Sequence, residues 1–189
     1  MNKEKLNIGG RTWIDLVNTR YVEGNKKVDL FISTSHLWNW LIENNIIAKN
    51  TNENVITEEL VSYIKELRKL CEEVLISVQS EEEIPQVIKN RISKIINDTN
   101  ITINLLDKAN NMDLVYTGKT IKDNIGYIVI NDLIDTLNHY DTNRLRQCYH
   151  ENCICYFLDT SKSGKRKWCD METCGNRKKA TKHYQRHKI

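Results

Sequence analysis

Five of the six cysteines in this 189-residue chain fall between residues 148 and 174. Two pairs share one spacing: four residues separate Cys148 from Cys153 and Cys169 from Cys174, and fifteen residues lie between the pairs. Thiolate is the preferred ligand of structural zinc, and two such knuckles brought together by a hairpin or loop close a tetrahedral shell. One zinc ion per chain is therefore expected on Cys148, Cys153, Cys169 and Cys174. About forty residues are too few for an independent apolar core, so metal binding would supply the folding free energy of this tail.

Other ligands are possible on paper. His183 and His187 have the three-residue gap of a finger-type histidine pair, although using them leaves one cysteine pair idle. His150 lies inside the first pair. Cys155, two residues after Cys153, would point away from the metal in an extended segment and reads as a bystander. Cys71 sits alone in an apolar helical pattern and reads as a small core residue.

Charge divides the chain. Residues 144–189 carry twelve Lys or Arg against four acids, a balance of +8, which leaves sixteen basic and twenty-one acidic residues, or −5, in the first 143. Zinc with four thiolates has a formal charge of about −2, so the tail keeps about +6, enough to favour a polyanion. The candidate nucleic-acid contacts are Lys162, Lys165, Arg166 and Lys167 before the third cysteine, and Arg177, Lys178, Lys179, Lys182, Arg186 and Lys188 after the fourth. Phe157 and Trp168 read as the finger's small core, and Asp159 and Ser161 as acceptors for loop backbone donors. Gly175 and Asn176 can turn the chain and cap a helix from Arg177 onward.

The stretch from Cys148 through Phe157, Asp159, Ser161, Arg166 and Trp168-Cys169 to Cys174-Gly175-Asn176-Arg177 resembles the CGNR zinc finger. Upstream, Trp13-Ile14-Asp15-Leu16-Val17-Asn18-Thr19 resembles the opening of the ABATE domain, and Asp29-Leu30 through Trp40-Leu41 its next block. The resemblance implies a stress-induced bacterial regulator of transcription, whose finger is taken to bind DNA because it is basic. The extra Cys155, and lysine where arginine is common, depart from the pattern.

The elements that would position these groups follow from periodicity. A short apolar element of open type spans Trp13 to Val17. Thr34 or Ser35 can cap a helix bearing Leu37, Trp38, Leu41 and Ile42, and Thr57 starts a longer one from Leu60 to Val78 whose other face is charged and solvated. Pro85 suits the first turn of a third helix, through Ile96. Spacing of two over Ile101–Leu105 and Met112–Tyr116, with a turn at Asp107 to Asn111, predicts a β-hairpin. A helical period returns from Ile121 to Leu137. The expected fold is α+β: a mostly helical domain with a β-hairpin over 1–143, able to fold alone, then a small finger of paired cysteines over 144–189 ending in a basic helix.

The opening MNKEKLNIGG has no apolar run of signal-peptide length, and no stretch approaches the ~20 apolar residues of a membrane helix, so a cytoplasmic protein without a membrane partner is expected. Three functions stay open. In one, the finger binds DNA while the body senses a small-molecule effector or forms a homodimer. In another, the finger binds RNA or docks a protein. An enzyme is not expected, because no nucleophile and base are paired and four cysteines leave zinc no open position. Asp15 and Asn18 either tie down a turn or line an effector pocket.

Overall fold

The structure is a computed structural model and describes residues 7–23, 25–80, 83–108 and 111–179. Its elements run α1 (Thr12–Val17), β1 (Arg20–Glu23), β2 (Lys26–Asp29), α2 (Thr34–Glu43), α3 (Glu58–Gln79), α4 (Gln86–Asp98), β3 (Ile101–Lys108), β4 (Asn111–Gly118), α5 (Ile121–His139), β5 (Leu145–Gln147) and β6 (Tyr156–Leu158). A π-helical turn over Met171–Gly175 then leads into a helical turn at 176–179. The α+β class holds, and among the described residues each sheet is a two-stranded antiparallel ribbon.

The apolar segment left open in type is a helix, and it is the centre of the body. Trp13, Ile14, Asp15, Leu16 and Val17 are all buried, as expected of a helix that is apolar on every side. It packs between α3, α5 and β6. The Trp13 indole N–H donates to the Thr136 hydroxyl on α5 at 3.0 Å, giving the one polar edge of that ring a partner.

The long helices follow their sequence signals. Thr57 accepts from the Leu60 N–H and caps α3, and Thr120 forms a reciprocal capping box with Asp123 on α5. Pro85 stands just before the first helical residue of α4. One expectation fails on α3: its polar face is not wholly solvated. Arg68 is buried and makes a two-pronged bond to the Asp29 carboxylate, at 2.8 and 2.7 Å, and a bond to the Thr19 hydroxyl at 2.9 Å. Burial would raise the Asp29 carboxyl, but the Arg68 guanidinium and the Phe31 N–H hold it below its ordinary value. Arg68 thereby clamps the β1–β2 ribbon, absent from the periodicity reading, onto the core.

Residues 144–179 do not stand apart from the body. Leu145 and Leu158 lie in the same apolar cluster as Trp13, Leu67 and Leu133, while Phe157 belongs to a second cluster with Cys148, Cys155, Cys169 and Cys174. Successive side chains of a strand face opposite ways, so β6 gives Leu158 to the body and Phe157 to the finger. The β5–β6 ribbon is a shared layer.

A chain ending at residue 143 would therefore lose Leu145 and Leu158 from its core and uncover the side chains they pack on. We expect the 1–143 fragment to unfold at a clearly lower urea concentration than the full chain, and to bind the dye ANS. Equal urea midpoints would show that the body does not rely on the ribbon.

Candidate metal centre

Four sulfurs converge where the two knuckles meet. The Sγ atoms of Cys148, Cys153, Cys169 and Cys174 all lie within 4.8 Å of one another, with Cys153–Cys169 and Cys169–Cys174 each at 3.7 Å. A tetrahedral ion with Zn–S bonds of about 2.3 Å requires sulfurs about 3.8 Å apart, so the cage has the size of zinc. Electrostatics point the same way. Hydrogen bonds from Cys148 and the neighbouring thiols hold Cys153 far below an ordinary thiol, while bonds to Cys148 and Cys153 push Cys169 and Cys174 far above it. Four thiolates cannot share this space without a cation. With one, all can ionise, and the soft donor set selects zinc over the oxygen-seeking ions.

Local hydrogen bonds build the cage. The first knuckle closes with the Cys153 N–H donating to the His150 carbonyl at 2.9 Å, and the His150 ring nitrogen Nδ1 accepts from the Asn152 N–H at 3.2 Å. His150 is thus a turn-forming residue outside the sulfur group. The Tyr149 N–H donates to the Lys167 carbonyl at 2.9 Å and ties the two knuckles together. The second knuckle lies on the π-helical turn, whose cap is Asp170: its carboxylate accepts from the Thr173 N–H and hydroxyl, both at 2.7 Å. That helix begins before the last ligand, so its N-terminal cap is Asp170 and not Asn176, which closes the π-helical turn at its C-terminal end. Gly175 has a structural role of another kind, since a Cβ there would sit 2.5 Å from the Met171 sulfur and 3.3 Å from the Trp168 ring.

Cys155 stays outside the four-sulfur group but does not turn to solvent. It is buried in the finger cluster, its carbonyl accepts from the Cys148 N–H at 2.9 Å, and its thiol is pushed up to about 12, chiefly by its bond with Cys153. Cys71, fully enclosed on α3, is likewise pushed well above an ordinary thiol by burial and is inert. His183 and His187 lie outside the described residues, as do Lys182, Arg186 and Lys188.

Residues 144–187 match the CGNR zinc finger family model. No curated protein matches the chain. The four-cysteine cage falls inside the matched segment and forms a zinc-binding site, one ion per chain.

Three arginines of the finger, Arg144, Arg146 and Arg166, turn inward. Arg144 donates to the Asp159 and Ser161 carbonyls at 3.2 and 2.7 Å, and Arg146 to those of Asn143 and Arg166 at 3.0 and 3.2 Å. Arg166 donates to the Trp168 and Cys169 carbonyls and covers the Phe157 ring at 4.4 Å. Arg166, read from sequence as a nucleic-acid contact, is committed to bracing the second knuckle. Asp159 is fully buried, accepting from the Ser161 and Arg166 N–H groups at 3.0 and 2.8 Å, and these bonds hold it below an ordinary carboxyl against the effect of burial. Lys162, Lys165, Lys167, Arg177 and Lys179 are exposed, and Lys178 pairs with Glu151 at 3.4 Å.

Asp15 and Asn18 are brought to the same place, the joint between body and finger. The Asn18 amide donates to the Tyr156 carbonyl and accepts from the Tyr156 N–H, both at 2.8 Å, serving β6 as a neighbouring strand would. Asp15 accepts from the Gly9 N–H at 2.7 Å, and the Gly9 carbonyl accepts from the Leu158 N–H at 2.8 Å. Glycine is required there because a Cβ would stand 2.7 Å from Ile14 and 2.9 Å from the Asp15 carboxylate. No spacing rule could have paired residues this far apart in sequence.

Two outcomes follow. Replacing any of Cys148, Cys153, Cys169 or Cys174 by Ser should abolish stoichiometric zinc, whereas Cys155→Ser should retain it; elemental analysis showing a full zinc complement in Cys169→Ser would remove that ligand. Burial pushes the Asp15 carboxyl up to about 7, opposed by the Gly9 bond and assisted by Asp132. Between its unfolded value near 4 and about 7, the folded chain holds a proton that the unfolded chain has released, so stability falls as pH rises through this window. Asp15→Asn keeps the acceptor and should lose about 1 kcal/mol less stability than the parent between pH 6 and pH 8. Parallel urea titrations at the two pH values check it, and identical losses would refute it.

Proposed function

We propose that this protein is a DNA-binding regulator whose CGNR finger and following basic run contact the duplex, while the helical body senses an effector or associates. The observation that carries this reading is the sorting of charge on the finger. Arg144, Arg146 and Arg166 bond its own carbonyls, and Asp159 and Asp170 take its backbone donors. The exposed lysines 162, 165, 167 and 179 stand outside that internal bonding, as a phosphate-facing surface requires. A four-thiolate shell supports structural zinc, without the open position that catalysis would need. The resemblance of the opening block to the ABATE domain agrees with a regulator. Asp15 and Asn18 then act as the mechanical link between body and finger, so an effector that shifts α1 would reach the finger through β6.

Arg177 is the candidate base reader, since its guanidinium can address a guanine edge in two-pronged fashion. One observation favours a second reading, single-stranded RNA. Tyr149 is 74% exposed within the first knuckle, meets Trp168 edge-on at 6.0 Å between centroids, and has the Lys167 ammonium 6.0 Å from its ring. An aromatic face beside a cation suits an unpaired base.

A salt titration with duplex DNA, single-stranded DNA and RNA separates the readings. With about five phosphate contacts, log affinity for duplex should fall with log salt at a slope of roughly −4 to −5, and Lys167→Gln should flatten it by about one unit for every sequence alike. Tighter binding to RNA, lost in Tyr149→Ala, would establish the second reading. Absence of binding to all three at low salt would overturn both.

A further inference from the structure

The β3–β4 hairpin is an arm with a bare apolar face. Its eight paired positions run from Ile101↔Gly118 to Lys108↔Asn111. Alternation puts Ile101, Ile103, Leu105 and Asp107 on one side with their partners Gly118, Tyr116, Leu114 and Met112, while Thr102, Asn104, Leu106, Asp113, Val115 and Thr117 lie on the other; the first side thus carries six apolar side chains, with Asp107 opposite Met112 at its far end. Those six apolar side chains are between 37 and 72% exposed. Eight residues reach about 27 Å, and an isolated two-stranded hairpin is marginal in water without a covering layer.

The root of the arm is rigid. Asn124 on α5 donates to the Ile46 carbonyl at 2.6 Å and accepts from the Gly118 N–H at 3.0 Å. Gly118 lies so close to α5 that a Cβ would stand 2.1 Å from the Asn124 nitrogen. Asp123 also accepts from the Asn100 N–H at 3.0 Å. The arm therefore projects in a defined direction. Its apolar face continues at the root into a groove of about 300 Å³ between α4 and α5, lined by residues such as Ile96, Ile101, Tyr127 and Ile134 and by no charged side chain. Tyr116 on the arm already meets Tyr127 of the groove, at 5.9 Å between centroids.

We propose that the occupant is a second copy of this chain, the two arms packing face to face about a two-fold axis so that each distal arm lies on the other's root groove. Leu105 stands about 14 Å beyond Ile101, the reach this arrangement needs. A self-complementary apolar patch joined to an uncharged groove is the surface an isologous dimer uses, since one patch on both copies covers itself. The area suffices. With Ile96 and Ile134 added, eight side chains about half exposed, at about 150 Å² each, offer roughly 600 Å² per copy, or 1,200 Å² in all, the lower bound of a stable interface. Two fingers held by one symmetric body would then address two half-sites in opposite orientation.

The test uses the full zinc-loaded chain in analytical ultracentrifugation. The parent should sediment at twice its 22.2-kDa mass at micromolar concentration. Leu105→Lys combined with Leu114→Asp should be monomeric, with unchanged zinc content and helical circular dichroism, and Thr102→Lys on the opposite face should stay dimeric. A parent that stays monomeric up to about 100 µM, or a double variant that remains dimeric, would overturn the proposal. Should the double variant lose its helical signal, Met112→Lys at the arm's end replaces it with the same expected monomer.

Discussion

Strand β6 carries three residues, and both halves of the molecule require them. Leu158 completes the apolar core around α1, Phe157 completes the cluster behind the sulfur cage, and the Tyr156 backbone is bonded on both its N–H and its carbonyl by the Asn18 amide. A buried backbone group without a partner costs about 1–3 kcal/mol, so the paired Asn18 bonds fix where β6 lies against α1. The Gly9 carbonyl secures the next residue, and Asp15 secures Gly9. The position of the metal cage relative to the body follows from these few bonds.

The finger's own order comes from a different source. Its cysteines, Phe157 and Trp168 enclose too little apolar surface to hold a unique shape, and the metal supplies what the core lacks. Inward arginines complement this. A guanidinium can bridge two carbonyls in a fixed fork, so Arg144, Arg146 and Arg166 stitch the loop between the knuckles to its flanks. Lysine, a flexible and strongly hydrated point charge, suits the outer surface.

The body shows a parallel economy of polar groups. Asp29, Arg68 and Thr19 join the β1–β2 ribbon to α3 at the edge of the apolar core, with Arg68 stacked on Phe31 at 4.9 Å. Asp15 is unlike them. It has one hydrogen bond and no cation beside it among the interactions that set its pKa, so burial dominates and its carboxyl titrates near neutrality. Body and finger are thus joined through a group whose charge changes close to physiological pH.

The chain by itself determined what is local. Equal spacing in the two cysteine pairs specified the zinc ligands, because a knuckle is built within six residues; apolar periodicity specified α2 to α5, whose apolar stripes recur over successive turns, and the β3–β4 hairpin, whose apolar residues alternate along each strand. Thr57 and Thr120 marked two helix starts for the same reason. The six-residue α1 had no visible type, since one and a half turns, apolar on every side, offer no period to read. Arg68 looked like part of a solvated helix face until the Asp29 ribbon was folded over it. Asn18 meets Tyr156, and Asp15 reaches Leu158 through Gly9, across more than a hundred residues of intervening chain, so only the tertiary structure could decide that these groups join two halves. It alone also decided which cations face inward. Composition counts charges, whereas their direction depends on which carbonyls the folded loop leaves unpaired.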